Sequence, residues 1–226
     1  MVFKTIRRAI ERLTAEDQPR LEELHAQYND PVSRLTSWEP MVHGGTNFRS
    51  HKLVEVSPHR IEFQATIGAC LFAWMFLLVG VGVAIAGVRK LGEPHEVESY
   101  MLMVFGLIFA GVGLYLDRRF RRPIVVDMDA MMFWRGRMPQ TREEIDRRED
   151  AVALEQVHAI QIISEYVRRE NSRGMNSFYY SHELNFVLHD GRRIHVVDHG
   201  NLRKLREDAH CLAELIGVPV WDAAVY

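Results

Sequence analysis

A chain of 226 residues is long enough for one large or two small domains, and 28 basic against 30 acidic side chains leave a net charge of −2, which excludes a whole-protein field of the kind that draws nucleic acid. Two cysteines, Cys70 and Cys211, are too few for a disulfide scaffold. The mean hydropathy is slightly negative, as in a soluble protein, but it averages over two uncharged runs that decide the class.

At the start of the chain, Phe3, Ile6, Ile10 and Leu13 recur at helical spacing with Lys4, Arg7, Arg8 and Arg12 around them. This predicts an amphipathic helix that lies on a membrane surface or packs on the rest of the cytosolic part. Leu21, Leu24 and Tyr28 continue the helical pattern after Pro19. Residues 43–48, HGGTNF, are a glycine-bearing loop suited to an interaction. Apolar and polar residues then alternate from His51 to Phe63 on either side of Ser57-Pro58, which predicts two short strands.

Residues 66–88 carry no charge for 23 positions and residues 99–116 none for 18. As helices they would be about 34 and 27 Å long, bracketing the roughly 30 Å hydrocarbon core of a bilayer. The first run holds eleven Leu, Ile, Phe or Val residues and nothing that opposes insertion. Two buried core helices of a soluble protein are the alternative, but the remaining residues are too few and too charged to wrap both on every side. The ten residues RKLGEPHEVE between the runs force antiparallel helices, a hairpin. Gly80 with Ala84, Gly82 with Ala86 and Gly106 with Ala110 would let the backbones approach closely, and Tyr100 and Tyr115 stand at headgroup depth.

Four arginines follow, Arg118, Arg119, Arg121 and Arg122, while Arg49, Lys52 and Arg60 precede the hairpin and the connecting loop has only Arg89 and Lys90. The positive-inside rule then puts both termini in the cytoplasm, with the four arginines as a membrane-interface anchor able to meet anionic lipid.

Beyond them, residues 123–136 predict two strands around a tight turn near Asp127 to Ala130, and residues 155–167 a longer β-branched strand. Residues 182–200 predict a hairpin closed by a type I′ turn at Asp190-Gly191, which sets Leu188 opposite Arg193, Phe186 opposite His195 and Leu184 opposite Val197. Both faces of that hairpin are partly apolar, so each needs cover. From Asn201 as N-cap, Leu202, Leu205, Ala209, Leu212 and Ile216 form one helical stripe that stops at Gly217. Two charged connections remain, residues 136–150 and 168–177, and Arg168, Arg169 and Arg173 of the second are candidate interaction-loop residues.

The search for chemistry yields no catalytic set, metal site or cofactor. His195 and His199 in HVVDH share a strand face at a spacing of roughly 13 Å, too far for one ion, so Asp198, His199, Gly200 and Asn201 are read as strand exit and helix cap. Asp127 and Asp129 in DMD are read as turn residues. The apolar runs contain no ionisable group that could relay an ion.

Two membrane helices followed by VALEQVHAIQII, ELNFVLHDGRRIHVV and LREDAHCLAELIG resemble the bacterial membrane proteins that carry a pleckstrin-homology-like (PH-like) domain after a transmembrane hairpin, over roughly residues 64–217. The expected fold class is α+β, an antiparallel transmembrane helical hairpin plus a cytosolic β-rich PH-like domain capped by a C-terminal helix. The expected division is residues 1–63 as cytosolic N-terminal region, 64–117 as hairpin and 118–226 as PH-like domain. The resemblance implies a platform for protein or lipid contacts in the bacterial inner membrane, without a catalytic set. Expected partners are membrane lipids, another protein and a second copy of the chain. A protective protein against a membrane-targeting toxin and a membrane-surface enzyme are the competing classes.

Overall fold

The computed structural model describes residues 21–44, 48–92, 96–170 and 176–224, so the helix expected over residues 3–13 lies outside the described residues. Along the chain the elements are α1 (residues 21–28), β1 (His51–Ser57), β2 (Arg60–Ala65), α2 (Ile67–Arg89), α3 (Glu96–Phe120), β3 (Ile124–Asp127), β4 (Met132–Arg135), α4 (Arg142–Arg147), β5 (Ala151–Ala153), β6 (Val157–Glu170), β7 (Asn176–Leu188), β8 (Arg193–His199), α5 (Leu202–Ile216) and β9 (Val220–Asp222). They form a mixed α+β architecture with two sheets, ordered β1-β2-β3-β4-β5 and β8-β7-β6-β9. Two compact units result, one of Met1–Gly45, Val152–Val197 and Asn201–Tyr226, the other of Thr46–Ala151 and Asp198–Gly200. They interleave the chain-order segments 1–63, 64–117 and 118–226.

In the second unit the helical hairpin is inserted between adjacent strands of one sheet. β1 and β2 pair antiparallel on either side of Pro58-His59, and β2 pairs in turn with β3, Phe63 opposite Ile124 and Ile61 opposite Val126. The chain therefore leaves the sheet from β2, makes α2 and α3, and returns beside the strand it left. Thr66 is the joint: its Oγ1 accepts from the Ala69 amide, capping α2, and donates to the Arg49 carbonyl.

The hairpin packs through small residues. Ala73, Gly80 and Gly87 are buried at seven-residue steps on α2, and Ser99, Gly106 and Gly113 are buried at the same step on α3. A Cβ at Gly80 would stand 2.2 Å from the Ala110 nitrogen, one at Gly106 2.4 Å from the Ala84 nitrogen, and one at Gly113 2.4 Å from the Leu77 nitrogen, so only glycine permits this approach. The expected pairs Gly80 with Ala84 and Gly106 with Ala110 are thus at the seam, whereas nothing lies within 4 Å of Gly82. The large apolar side chains point the other way: Leu71, Leu78, Met101 and Leu107 are 61, 68, 67 and 64% exposed. By length and composition both helices could cross a membrane, and only 17% of the apolar window of each is buried.

In the first unit β6 and β7 form a long antiparallel ladder, Ile160 opposite Phe186 and Ile162 opposite Leu184, and β9 joins β6 in parallel, Ile160 opposite Val220. α5 covers the sheet with Leu205, Ala209 and Leu212, all fully buried. Its boundaries follow local chemistry: the Asn201 side chain accepts from the Lys204 amide, and Gly217 at φ +82° ends the helix while the Gly217 and Val218 amides both donate to the Ala213 carbonyl. Leu24 and Trp38, from the segment before β1, pack with Ala159, Val187, Trp221 and Ala223, and Tyr28 stacks on Trp38 at 5.5 Å. These two layers are the cover that the two-sided apolar pattern of the hairpin demanded.

The β7–β8 turn corrects the expected register. Leu188 pairs with Arg192, its amide donating to the Arg192 carbonyl at 2.8 Å, and the Gly191 amide donates to the Leu188 carbonyl. Only Gly191, at φ +83°, has positive φ, so Asp190 does not adopt the conformation a type I′ turn needs. A three-residue loop with glycine at its left-handed position takes that place, and the pairing shifts by one residue.

Candidate functional site

The four arginines of the sequence signal stand at the foot of the helical hairpin. α3 continues to Phe120, past the uncharged run, so Arg118 and Arg119 occupy its last turn, where cations complement the helix dipole, and Arg121 and Arg122 occupy the turn before Pro123. All four are exposed. Arg121 Nε donates to Asp117 Oδ1 at 2.8 Å, Trp74 Nε1 donates to the same oxygen at 3.0 Å, and the Arg121 guanidinium lies 5.9 Å from the centre of the Trp74 ring. The two helices are thereby tied at one end through a carboxylate.

Arg122 serves the sheet below. Its Nη2 donates to Asp150 Oδ2 at 2.7 Å, and the other Asp150 oxygen accepts from Arg148 Nε at 2.8 Å. Arg148 also donates to the carbonyls of Arg135 and Arg137, at 2.7 Å each. The charged connection 136–150 is therefore an ordered strap containing α4, with Thr141 accepting from the Glu144 amide as its N-cap.

His51 joins β1 to the end of α3. Its Nε2 meets the Phe120 carbonyl at 3.1 Å and its Nδ1 meets Ser50 Oγ at 2.9 Å, a pair the neutral ring satisfies by donating from Nε2 and accepting at Nδ1. Burial, aided by the nearby Arg135 and Arg119, pushes its pKa below the usual histidine range. Between β2 and the helix ends lies a cavity of about 310 Å³, with Glu62, Gln64, Cys70, Phe120 and Arg121 among its lining residues. Glu62 is held by Arg60 at 2.8 Å.

Arg168 and Arg169 are not loop residues. They continue β6, paired with Phe178 and Ser177 of β7, while Arg173 lies outside the described residues. Asp127 and Asp129 form the expected turn: Asp127 Oδ1 accepts from the amides of Asp129 and Ala130, and His59 bonds Asp129 at 2.9 Å. β8 ends at His199, and Asn201 caps α5.

The sequence reading missed a buried polar seam on the first unit's sheet. Glu183, 4% exposed, accepts from the amides of Met41 and Val42 and from Asn185 Nδ2. Gln161, fully buried, donates to the Ser37 carbonyl and accepts from Arg193, whose Nη1 also reaches the Glu39 carbonyl at 2.7 Å. Glu165 accepts from the Gly44 amide, and His43 bonds it at 3.2 Å. His43 and Gly44 of the HGGTNF loop are thus spent on holding the segment from Ser37 to Gly44 against β6 and β7. The only trace of this in the sequence was a set of polar residues, Gln161, Glu183 and Asn185, inside apolar strands, which implies partners from elsewhere in the chain.

The chain matches no protein-family model, and comparison with curated proteins and with solved structures gives no match.

Proposed function

We propose that this protein is a non-catalytic interaction module anchored in the bacterial inner membrane, with both termini in the cytoplasm and its β-rich parts presented to a lipid or protein partner. The observation that carries the reading is the inverted hairpin, with small residues at its seam and large apolar side chains outward, which is the arrangement that suits a hydrocarbon solvent. The insertion of that hairpin between β2 and β3 supports an anchor that holds its sheet at a fixed distance from the bilayer. The four exposed arginines at the hairpin foot support contact with anionic headgroups, each worth about 1 kcal/mol near the surface. The β-rich part is read as PH-like because strands β3 to β8 lead into the amphipathic α5; β9 after that helix and the recruitment of β1 and β2 are additions to that plan.

A cytoplasm-active reporter fused after Tyr226 tests the topology: activity is expected, and a periplasmic signal overturns it. Native mass spectrometry of the full chain from membranes tests the lipid contact. Co-purifying anionic lipid should fall several-fold when Arg118, Arg119, Arg121 and Arg122 are all changed to Gln, and an unchanged lipid complement removes the anchor role.

A further inference from the structure

In the first unit, His158 near the start of β6 and His189 in the β7–β8 turn meet through their Nδ1 atoms at 3.1 Å. Two imidazole nitrogens share such a contact only where one carries a proton and the other offers a lone pair. A third group fixes which: His158 Nε2 lies 2.8 Å from Asp30 Oδ2. The other Asp30 oxygen accepts from the Val32 amide at 2.8 Å, so the side chain is fixed with both oxygens as acceptors. With Nε2 donating to that carboxylate, His158 presents the Nδ1 lone pair to His189. The Trp221 ring holds His158 edge-on at 5.6 Å, and His189 is exposed.

A carboxylate behind one imidazole, with the opposite nitrogen aimed at a second imidazole nitrogen, is the support that metal-ligating histidines receive from their surroundings. We propose that His158 and His189 bind a divalent transition-metal ion of the zinc, nickel or copper class through their Nδ1 atoms, with Asp30 orienting His158 and the remaining positions open to water or to a partner's side chain. With metal–nitrogen bonds of about 2.05 Å, nitrogens 3.1 Å apart subtend about 98° at the ion, between the square-planar and tetrahedral angles. At that angle the ion lies beside the line joining the two nitrogens, so both rings turn toward it as the shared proton leaves the contact. His189 moves its own proton to Nε2, so neutral histidines bind with no net proton release. The site would tie α1's following turn, β6 and the β7–β8 turn together at one exposed point.

Trp221, 5.6 Å from His158, gives the proposed ion a fluorescent neighbour, and the His158 and His189 variants show which part of the quenching arises there. Full-length protein in detergent, free of affinity-tag histidines, is titrated with Cu2+ at pH 7.5 and followed by tryptophan fluorescence. Saturable quenching reversed by EDTA is expected. His158→Ala and His189→Ala should abolish it, and Asp30→Asn should weaken it by about tenfold or more. The deciding variant is His189→Ala, since it leaves the Asp30 bond and the Trp221 packing in place and circular dichroism can confirm that the fold is kept. Quenching in that variant equal to wild type overturns the site, as does an absence of saturable quenching in the wild type; the two rings then share only a proton.

Discussion

The helical hairpin and the β6–β9 sheet bury opposite kinds of residue. In the sheet unit the largest fully buried side chains are Phe186, Ile160, Ile162, Leu205 and Leu212, and the exposed positions of α5 are polar, Arg203, Glu207 and His210 among them. In the hairpin the buried positions are Ala69, Ala73, Gly80, Gly87, Ser99, Gly106 and Gly113, and the outer ones include Leu, Met, Phe and Val. Water explains the first pattern, since removing apolar surface from it stabilises each large buried side chain by about 1.5–3 kcal/mol. It cannot explain the second. A hydrocarbon surrounding removes that drive, leaving close backbone approach as the source of helix association. On the proposed membrane reading the same chain obeys two solvents, and the size of the buried residue marks which applies.

The largest break in this comparison should come from enlarging the hairpin seam. Gly106→Leu places a side chain where a Cβ alone meets the Ala84 backbone at 2.4 Å, and should cost about 3 kcal/mol or more, seen as a lowered thermal midpoint in detergent. Gly82→Ala, with open space around it, should change stability by less than about 0.5 kcal/mol. Truncation separates the units in the reverse sense. Leu205→Ala in the sheet unit should cost about 2–5 kcal/mol in denaturant unfolding, whereas Leu78→Ala on the hairpin's outer face should stay within about 0.5 kcal/mol in detergent.

Smaller effects sharpen the picture of the sheet unit. Gly191→Ala forces a side chain to φ +83° and against Leu35, for about 1–2 kcal/mol, and would shift the β7–β8 pairing seen by amide exchange. Asn201→Ala removes the cap of α5, for about 1 kcal/mol.

Acid should weaken both units slightly. His51 in one and His182 in the other are held neutral chiefly by burial, with His182 also facing Arg206 against the opposing Asp222. A histidine depressed in the folded state leaves the unfolded chain binding more protons, so its stabilisation is complete above about pH 6.5 and is lost as pH falls through the folded value. His51→Gln should flatten the stability curve below pH 6.5, and an unchanged slope would assign the acid sensitivity elsewhere.

Much of this was readable where the information is local. The turns at Ser57-Pro58 and Asp127, the cap at Asn201 and the stop at Gly217 each depend on residues within a few positions, and each formed as expected. The seven-residue step of Ala73, Gly80 and Gly87 was present but hidden behind the four-residue pairs, which is why Gly82 was misplaced. What escaped is non-local. β9 has three residues, and its pairing with β6 depends on α5 ending where it does. The Glu183 and Gln161 seam needs the segment from Ser37 to Gly44, more than a hundred residues away along the chain. The one-residue error at Asp190-Gly191 came from choosing between two turn types that the same dipeptide allows, and burial on both faces of β8, at Val196 and at Val197, gives no pattern that favours either.

The direct test of lipid solvation is spin-label accessibility in vesicles, with Cys70 and Cys211 replaced by serine and single labels at Leu78 and Leu107. Collisions with oxygen well above those with a water-soluble nickel chelate at both positions are the predicted result. Chelate access equal to that of an exposed label on the sheet unit would mean that water bathes those faces, and would contradict the account.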